Sequence, residues 1–292
     1  MKGLREIKGR IKAVKNTAQI TKAMQLVAAS KMKRAQDNAL AKRPYSLLLT
    51  EILESVAPKL EGLKHPLLEK RTINKRGVLV VATDKGLCGA LNSNLFRSIL
   101  AMREEARFVA IGRKATQYLS LASCELLADF TVKDSVPFQE VRMVVEYMMK
   151  LYEDGEIDTI EVLFPSFKNT LVQEPILETL VPFGSLTEGL KALRKRHGVE
   201  EKPHAEDNRE MLFEPTVQAI LDELPTLFVK HEIYYRILEA KASEHSARMV
   251  AMKTATDNAN NLIDDLTLEY NKARQANITQ EILEISAASM AS

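Results

Sequence analysis

Few residues in this 292-residue chain have types and spacing that invite chemistry, and they cluster in two places. One is the run Thr83-Asp84-Lys85-Gly86-Leu87-Cys88-Gly89-Ala90-Leu91-Asn92. Glycines between a strand and a helix start can hold phosphate through free backbone N–H groups. The run fits neither the GxxxxGKS/T nor the GxGxxG pattern, so a tight strand-to-helix turn with a small buried thiol outweighs a phosphate site. Cys88 as a nucleophile would need a base beside it, and no histidine stands near it in sequence. The other place is His231-Glu232, which opens like the zinc-protease HExxH motif. The second ligand position holds Tyr235, so one ligand is missing. Cys88 and Cys124 are too few for a disulfide framework or a metal knuckle, and a reducing compartment is the expectation. No catalytic residue, metal site or cofactor is expected.

The elements that must carry these residues obey two different periods. Leu4, Ile7, Ile11, Val14, Ala18, Thr21, Gln25, Ala28, Met32, Ala35 and Ala39 keep a 3-4 spacing, the period of a coiled-coil seam. Past Val14 its occupants are mostly small or polar, while Ile20, Met24, Leu26 and Val27 place apolar groups on other faces. A helix apolar nearly all round expects protein all round. The C-terminal third repeats the spacing through Phe228, His231, Tyr235, Leu238, Ala242, His245, Met249, Met252, Thr256, Ala259, Ile263, Leu266, Tyr270 and Ala273, with Pro225 expected to bound it. His231, His245 and the Met249/Met252 pair thus read as packing positions. About 60 helical residues at 1.5 Å each make a rod of roughly 90 Å, and each seam is the natural antiparallel partner of the other.

The middle alternates strand and helix. Val78–Thr83, Phe108–Ile111, Leu126–Phe130 and Thr159–Phe164 read as short buried strands, with helices near 90–106, 113–121 and 137–153 and extended chain over Thr170–Val181. That alternation predicts a parallel α/β sheet. Linkers are expected at 58–75 and 191–209. The domains are therefore an N-terminal coiled-coil helix over 1–58, a central α/β domain over 76–190 and a C-terminal coiled-coil helix over 210–292.

Composition narrows the class further. The chain has 11 glycines, no tryptophan and only 5% aromatic residues, which favours long helices over collagen-like or disulfide-built folds. The net charge of +2, from 41 basic and 39 acidic residues, excludes a polycation. Locally, residues 1–43 are strongly basic, opposed only by Glu6 and Asp37, and such a segment suits an acidic partner. No run reaches the roughly 18 apolar residues of a membrane span. The N-terminus lacks the apolar core of a secretory signal. It is basic and amphipathic like a transit peptide, but the pattern runs unbroken to Arg43-Pro44. A soluble or peripheral protein is expected.

Three stretches carry a resemblance: IKAVKNTAQITKAMQLVAASKMKR from Ile11 to Arg34, DKGLCGALNSN from Asp84 to Asn94, and SEHSARMVAMKTATDNANNLIDDLTLEYNKARQANITQEILE from Ser243 to Glu284. Together they closely resemble the gamma subunit family of bacterial F-type ATP synthases, collinear over essentially the whole chain. The resemblance implies a long antiparallel coiled coil of the terminal helices with a central Rossmann-like α/β domain. It implies a non-catalytic rotor shaft that couples ion flow through a membrane rotor ring to ATP synthesis at the beta subunits. The implied partners are the alpha and beta subunits, the epsilon subunit and the rotor ring, at the cytoplasmic face of the cell membrane. Residue by residue, it implies beta-subunit contacts at Met24, Arg274, Gln275, Thr279 and Glu281, and epsilon and rotor-ring contacts at Met211, Phe213 and Glu214. The family often has tyrosines where Met211 and Phe213 stand, and a glycine-containing end where this chain has Ser286-Ala287-Ala288-Ser289. The long redox-regulatory insertion of the chloroplast form is not evident.

Two other classes stay open from the residues alone. A nucleotide-binding α/β enzyme predicts nucleotide affinity in the isolated chain. A nucleic-acid-binding coiled coil predicts affinity that falls steeply with salt. Apolar residues between the charges of the N-terminal helix suit a protein sleeve better than a nucleic-acid groove, so no nucleic-acid partner is expected.

Overall fold

In a computed structural model, residues 2–60, 67, 71–182 and 216–291 are described. The chain forms two compact units, one from residues 1–30 with 248–292 and the other from residues 31–247. Both terminal helices contribute to both units: α1 spans Lys2–Leu60 and the last helix spans Val217–Ala291.

The unit of residues 31–247 contains β1 (Arg76–Val81), α2 (Leu91–Leu100), β2 (Ala106–Ile111), α3 (Arg113–Leu121), β3 (Glu125–Phe130), α4 (Phe138–Glu153), β4 (Thr159–Phe167) and β5 (Gln173–Val181); the last helix, Val217–Ala291, is α5. The strands form one sheet in the order β3-β2-β1-β4-β5. β1 to β4 are parallel and β5 is antiparallel to β4, so the expected parallel sheet is mixed. The reason is chain length: residues 168–172 make a hairpin, whereas a parallel neighbour needs a crossover of a dozen or more residues. The extended stretch after Thr170 becomes this returning strand.

Each face of the sheet has its own core. On one side Val78, Val80, Phe108, Ala110 and Leu163 meet Leu95, Ile99, Ala115 and Leu119 of α2 and α3. On the other, Leu79, Val81, Val109, Val162 and Phe164 meet Val141, Val145 and Met148 of α4 and Val229, Ile233 and Ile237 of α5. Alternate residues of one strand thus feed opposite cores, as the period of two requires. Gly112 is required where β2 hands over to α3. Its φ is +94°, and a Cβ there would lie 2.3 Å from the Ala82 carbonyl oxygen.

In the unit of residues 1–30 and 248–292, the buried positions are Ala18, Thr21 and Ala28 of α1 and Met252, Thr256, Ala259 and Leu266 of α5. All of them belong to the predicted seams. The hydroxyls of Thr21 and Thr256 meet at 2.7 Å, with Thr256 Oγ1 also donating to the Met252 carbonyl. Further along α1, Lys31 shares a carboxylate with Lys241, which lies earlier in α5, so the two helices run antiparallel.

Pro225 does not bound the C-terminal helix as expected, whereas Pro44 falls inside a helix expected over 1–58. α1 continues through Pro44 to Leu60, and Pro225 lies inside α5. A proline interrupts the hydrogen-bond ladder at about 3 kcal/mol or more. Beyond Pro225, that cost is outweighed by the packing of α5 from Phe228 onward, where apolar side chains seat on the sheet.

Candidate functional site

The loop between β1 and α2 is closed on itself. Asn92 Nδ2 donates to Thr83 Oγ1 at 2.8 Å and reaches Cys88 Sγ at 3.5 Å, while Thr83 Oγ1 donates to the Lys85 carbonyl. Cys88 is buried, with the Asn92 amide beside its sulfur. The loop is a tight turn around a packed thiol. Burial pushes the other thiol, Cys124, up from its ordinary pKa despite the Arg103 charge, which disfavours the reactive thiolate. Among the described residues no group of histidine, cysteine and carboxylate side chains is arranged to hold a metal. His231 stacks near Phe138 at 6.3 Å, and His245 is buried with Nε2 3.9 Å from Asp134.

Open α/β sheets bind ligands beyond the carboxyl ends of their strands, where the strand order reverses. Here that point lies between β1 and β4, and α5 covers it. Glu239 accepts from Ser166 Oγ at 2.6 Å and from the Phe167 amide at 2.9 Å, at the end of β4. Lys241, 3% exposed, lies 3.9 Å from Asp84, which follows β1, and 3.4 Å from Glu244. Ser246 donates to the Thr170 carbonyl in the β4–β5 hairpin. The chain's own helix thus bonds across the strand ends where such a crevice would open.

Two charge clusters carry that packing, and neither was visible in the sequence. Arg236 is buried between Glu178 of β5 and Glu232 one turn back on α5; burial opposes its charge, but the two carboxylates outweigh that and raise its pKa. Asp134, in the loop after β3, accepts from Lys31 at 2.6 Å and faces Lys241 at 3.7 Å. Burial raises the Asp134 carboxyl, and the Lys31 hydrogen bond with the Lys241 and His245 charges overrides it, holding the group below the usual carboxylate range. The sequence held only an indirect signal: charged residues at 230, 232, 236, 239, 241 and 244 interspersed in a stretch of α5 whose other residues are mostly apolar.

The predicted contact residues occupy a different kind of surface. Met24 is half-buried in α1, and Arg274, Gln275, Thr279 and Glu281 are exposed on α5. Thr279 Oγ1 donates back to the Gln275 carbonyl at 2.9 Å. Arg274 and Glu281 make no ion pair among the described residues. Around them stand Ile278, Ile282, Leu283 and Ile285, all exposed, with Ile282 at 61%. On α1, Ile20, Leu26 and Val27 are exposed too, each by more than half. Arg274, Ile278, Glu281 and Ile285 follow one another at helical spacing, so polar and apolar groups alternate along one exposed face. Exposed apolar surface of this extent marks an interaction site. The exposed cations Arg5, Lys8, Lys12, Lys15 and Lys22 add positive charge to α1. Met211, Phe213 and Glu214 lie outside the described residues.

The family model described as ATP synthase matches residues 3–291. The chain is 50% identical over 291 residues to the ATP synthase gamma chain of Opitutus terrae, covering 100% of this chain and 99% of the relative. It is 46% identical to the ATP synthase gamma chain of Methylacidiphilum infernorum, covering 98% of each. Its fold is similar to a chain in the structure of the Euglena gracilis mitochondrial ATP synthase OSCP/F1/c-ring assembly, with a TM-score of 0.64 at 20% identity, covering 99% of this chain and 94% of that one.

Proposed function

This chain belongs to the ATP synthase gamma chain family, and on that premise we propose that it is the central rotor shaft of an F-type ATP synthase. It is a non-catalytic subunit. It couples ion flow through a membrane rotor ring to ATP synthesis by turning inside a ring of alternating alpha and beta subunits. The observation that carries this reading is the inverted surface of the helical pair. Small and polar side chains are buried between the helices, while Ile20, Leu26, Val27, Ile282 and Ile285 point outward. Such a pair is built to be sheathed by other protein.

The residues divide the labour. Met24, Arg274, Gln275, Thr279 and Glu281 contact the beta subunits, with Arg274 making charge-assisted, bidentate bonds to a carboxylate of each beta subunit in turn. Met211, Phe213 and Glu214 contact the epsilon subunit and the rotor ring. No helix among the described residues is long and apolar enough to cross a membrane. The chain works as a peripheral part of the complex, at the cytoplasmic face of the cell membrane.

Affinity capture of the tagged chain from detergent-solubilised membranes tests the reading. Co-recovery of alpha, beta and epsilon subunits is expected. Recovery of the chain without them, or measurable nucleotide affinity in the isolated chain, refutes it.

A further inference from the structure

We propose that Asp134 is the joint by which the α/β unit grips both long helices, and that it is a positioning residue for rotary coupling; this rests on the shaft reading above. Asp134 stands in the loop after β3. Its Oδ2 accepts from Lys31 Nζ of α1 at 2.6 Å, while its Oδ1 lies 3.7 Å from Lys241 Nζ and 3.9 Å from His245 Nε2, both of α5. Among the described residues it is the one carboxylate within ion-pair distance of cations from both helices. Lys241 is in turn held by Glu244 and Asp84, so the cation that α5 buries faces acidic groups from two loops and from its own helix.

α5 is held in this unit by apolar burial through Val229, Ile233, Ile237 and Leu238 and by polar bonds of Arg236, Glu239 and Ser246 to the sheet and its hairpin, none of which reaches α1. Apolar burial is non-directional, so it resists a helix leaving the sheet better than it resists a helix rolling or sliding in place. A charge-assisted hydrogen bond demands a position. A subunit that transmits torque needs that second kind of restraint where both helices leave the unit, and Lys31 lies at that boundary. The Lys31 and Asp134 side chains are both nearly half exposed, so their pair contributes little to stability. Its loss should leave the fold and loosen the grip.

The test uses complete ATP synthase in inverted membrane vesicles, with Asp134→Asn, Lys31→Met and Lys31→Arg in this chain. Ion pumping per ATP hydrolysed, total hydrolysis and subunit content are measured together. Asp134→Asn and Lys31→Met should lower pumping per ATP by about two- to fivefold, the scale of a partly exposed ion pair, with subunit content unchanged and hydrolysis retained. Lys31→Arg should restore coupling. Unchanged pumping per ATP in Asp134→Asn and Lys31→Met overturns the joint, and so does loss of assembled complex in Lys31→Met, which would make the pair structural. Vesicles without the chain distinguish the two levels. Pumping that survives its removal refutes the shaft reading and the joint with it, whereas pumping that needs the chain but ignores Asp134→Asn and Lys31→Met refutes the joint alone.

Discussion

The two units of this chain put their large apolar side chains on opposite sides of the surface. In the α/β unit Phe108, Leu79, Ile111, Met148 and Phe164 are buried against two helical layers. In the helical unit most buried places go to small or polar residues, Ala18, Thr21, Ala28, Thr256 and Ala259, with Met252 and Leu266 the larger ones, and the outward places include Ile20, Leu26, Ile282 and Ile285. The first arrangement stabilises itself. The second stabilises a contact with something else, since small residues let two helices approach closely and leave the bulky ones for an outer partner. Stability in one unit and assembly in the other are therefore separable properties, and mutations should separate them.

The largest separation is expected between Phe108→Ala and Ile282→Ala. Phe108 is fully buried, and truncating a buried aromatic costs about 3–5 kcal/mol. Ile282 is exposed, so its truncation should change the stability of the free chain by no more than about 0.5 kcal/mol. Urea unfolding of the dilute full-length chain, followed by circular dichroism, measures the first difference. Yield of assembled complex measures the second, and there Ile282→Ala should be the worse variant relative to its stability. Equal stability losses would erase the contrast. The same exposed stripe predicts that the free chain aggregates; a soluble monomer with both helices formed would contradict it.

Arg274→Ala sharpens the comparison within the outward surface, because it removes a polar contact and leaves the apolar stripe. Losing one charged hydrogen bond costs about 1.5–3 kcal/mol, which corresponds to roughly a ten- to hundredfold slower multisite turnover where the bond stabilises the limiting step. Assembly and nucleotide binding at a single beta site should stay near normal, and Arg274→Lys should fall between. Steady-state hydrolysis and ion-driven synthesis by purified complexes check this. Normal turnover in Arg274→Ala would leave the apolar stripe as the working contact. Failed assembly would make Arg274 structural.

The seams were legible in the sequence because coiled-coil packing is written in local period: every buried residue of the helical unit sits at a 3-4 position. The strands were legible for the same reason, as apolar runs bounded by helices. Asp134, Lys31, Lys241 and Asp84 were not, because they meet only through tertiary packing and no spacing links them. Pro225 misled for a related reason, since a proline's local cost says nothing of the long-range packing that opposes it. The β5 direction depended on counting the short 168–172 connection.

Inside the helical seam a smaller effect is expected. Thr256→Val removes the 2.7 Å hydroxyl contact with Thr21 but keeps the shape. Thr21, released from that contact, can give its single hydroxyl proton to the Ala18 carbonyl, so the cost should be about 1 kcal/mol, read from thermal unfolding. A stabilised Thr256→Val variant would show that the seam tolerates a fully apolar interior.

The smallest effect concerns acid, and it contrasts the charge clusters of the α/β unit with the exposed Glu6–Arg10 pair of the helical unit. Asp134 has its folded pKa lowered, because the Lys31 hydrogen bond and neighbouring cations outweigh burial. A lowered carboxyl contributes stability that is present above its unfolded pKa of about 3.9 and is lost as pH falls through the folded value. Because the Lys31–Asp134 pair is nearly half exposed, solvent screening limits that contribution to under about 1 kcal/mol. The wild-type chain should therefore unfold at a slightly higher temperature than Asp134→Asn near pH 7. That gap should stay constant down to about pH 5 and shrink below about pH 4. Raised salt should narrow it as well, since partly exposed charges are screened. Thermal unfolding of both chains across this pH range, at low and high salt, measures the gap. A gap that widens on acidification would mean that Asp134 is held as the neutral acid, and the ion pairs to Lys31 and Lys241 would then not be what ties the two helices to the sheet.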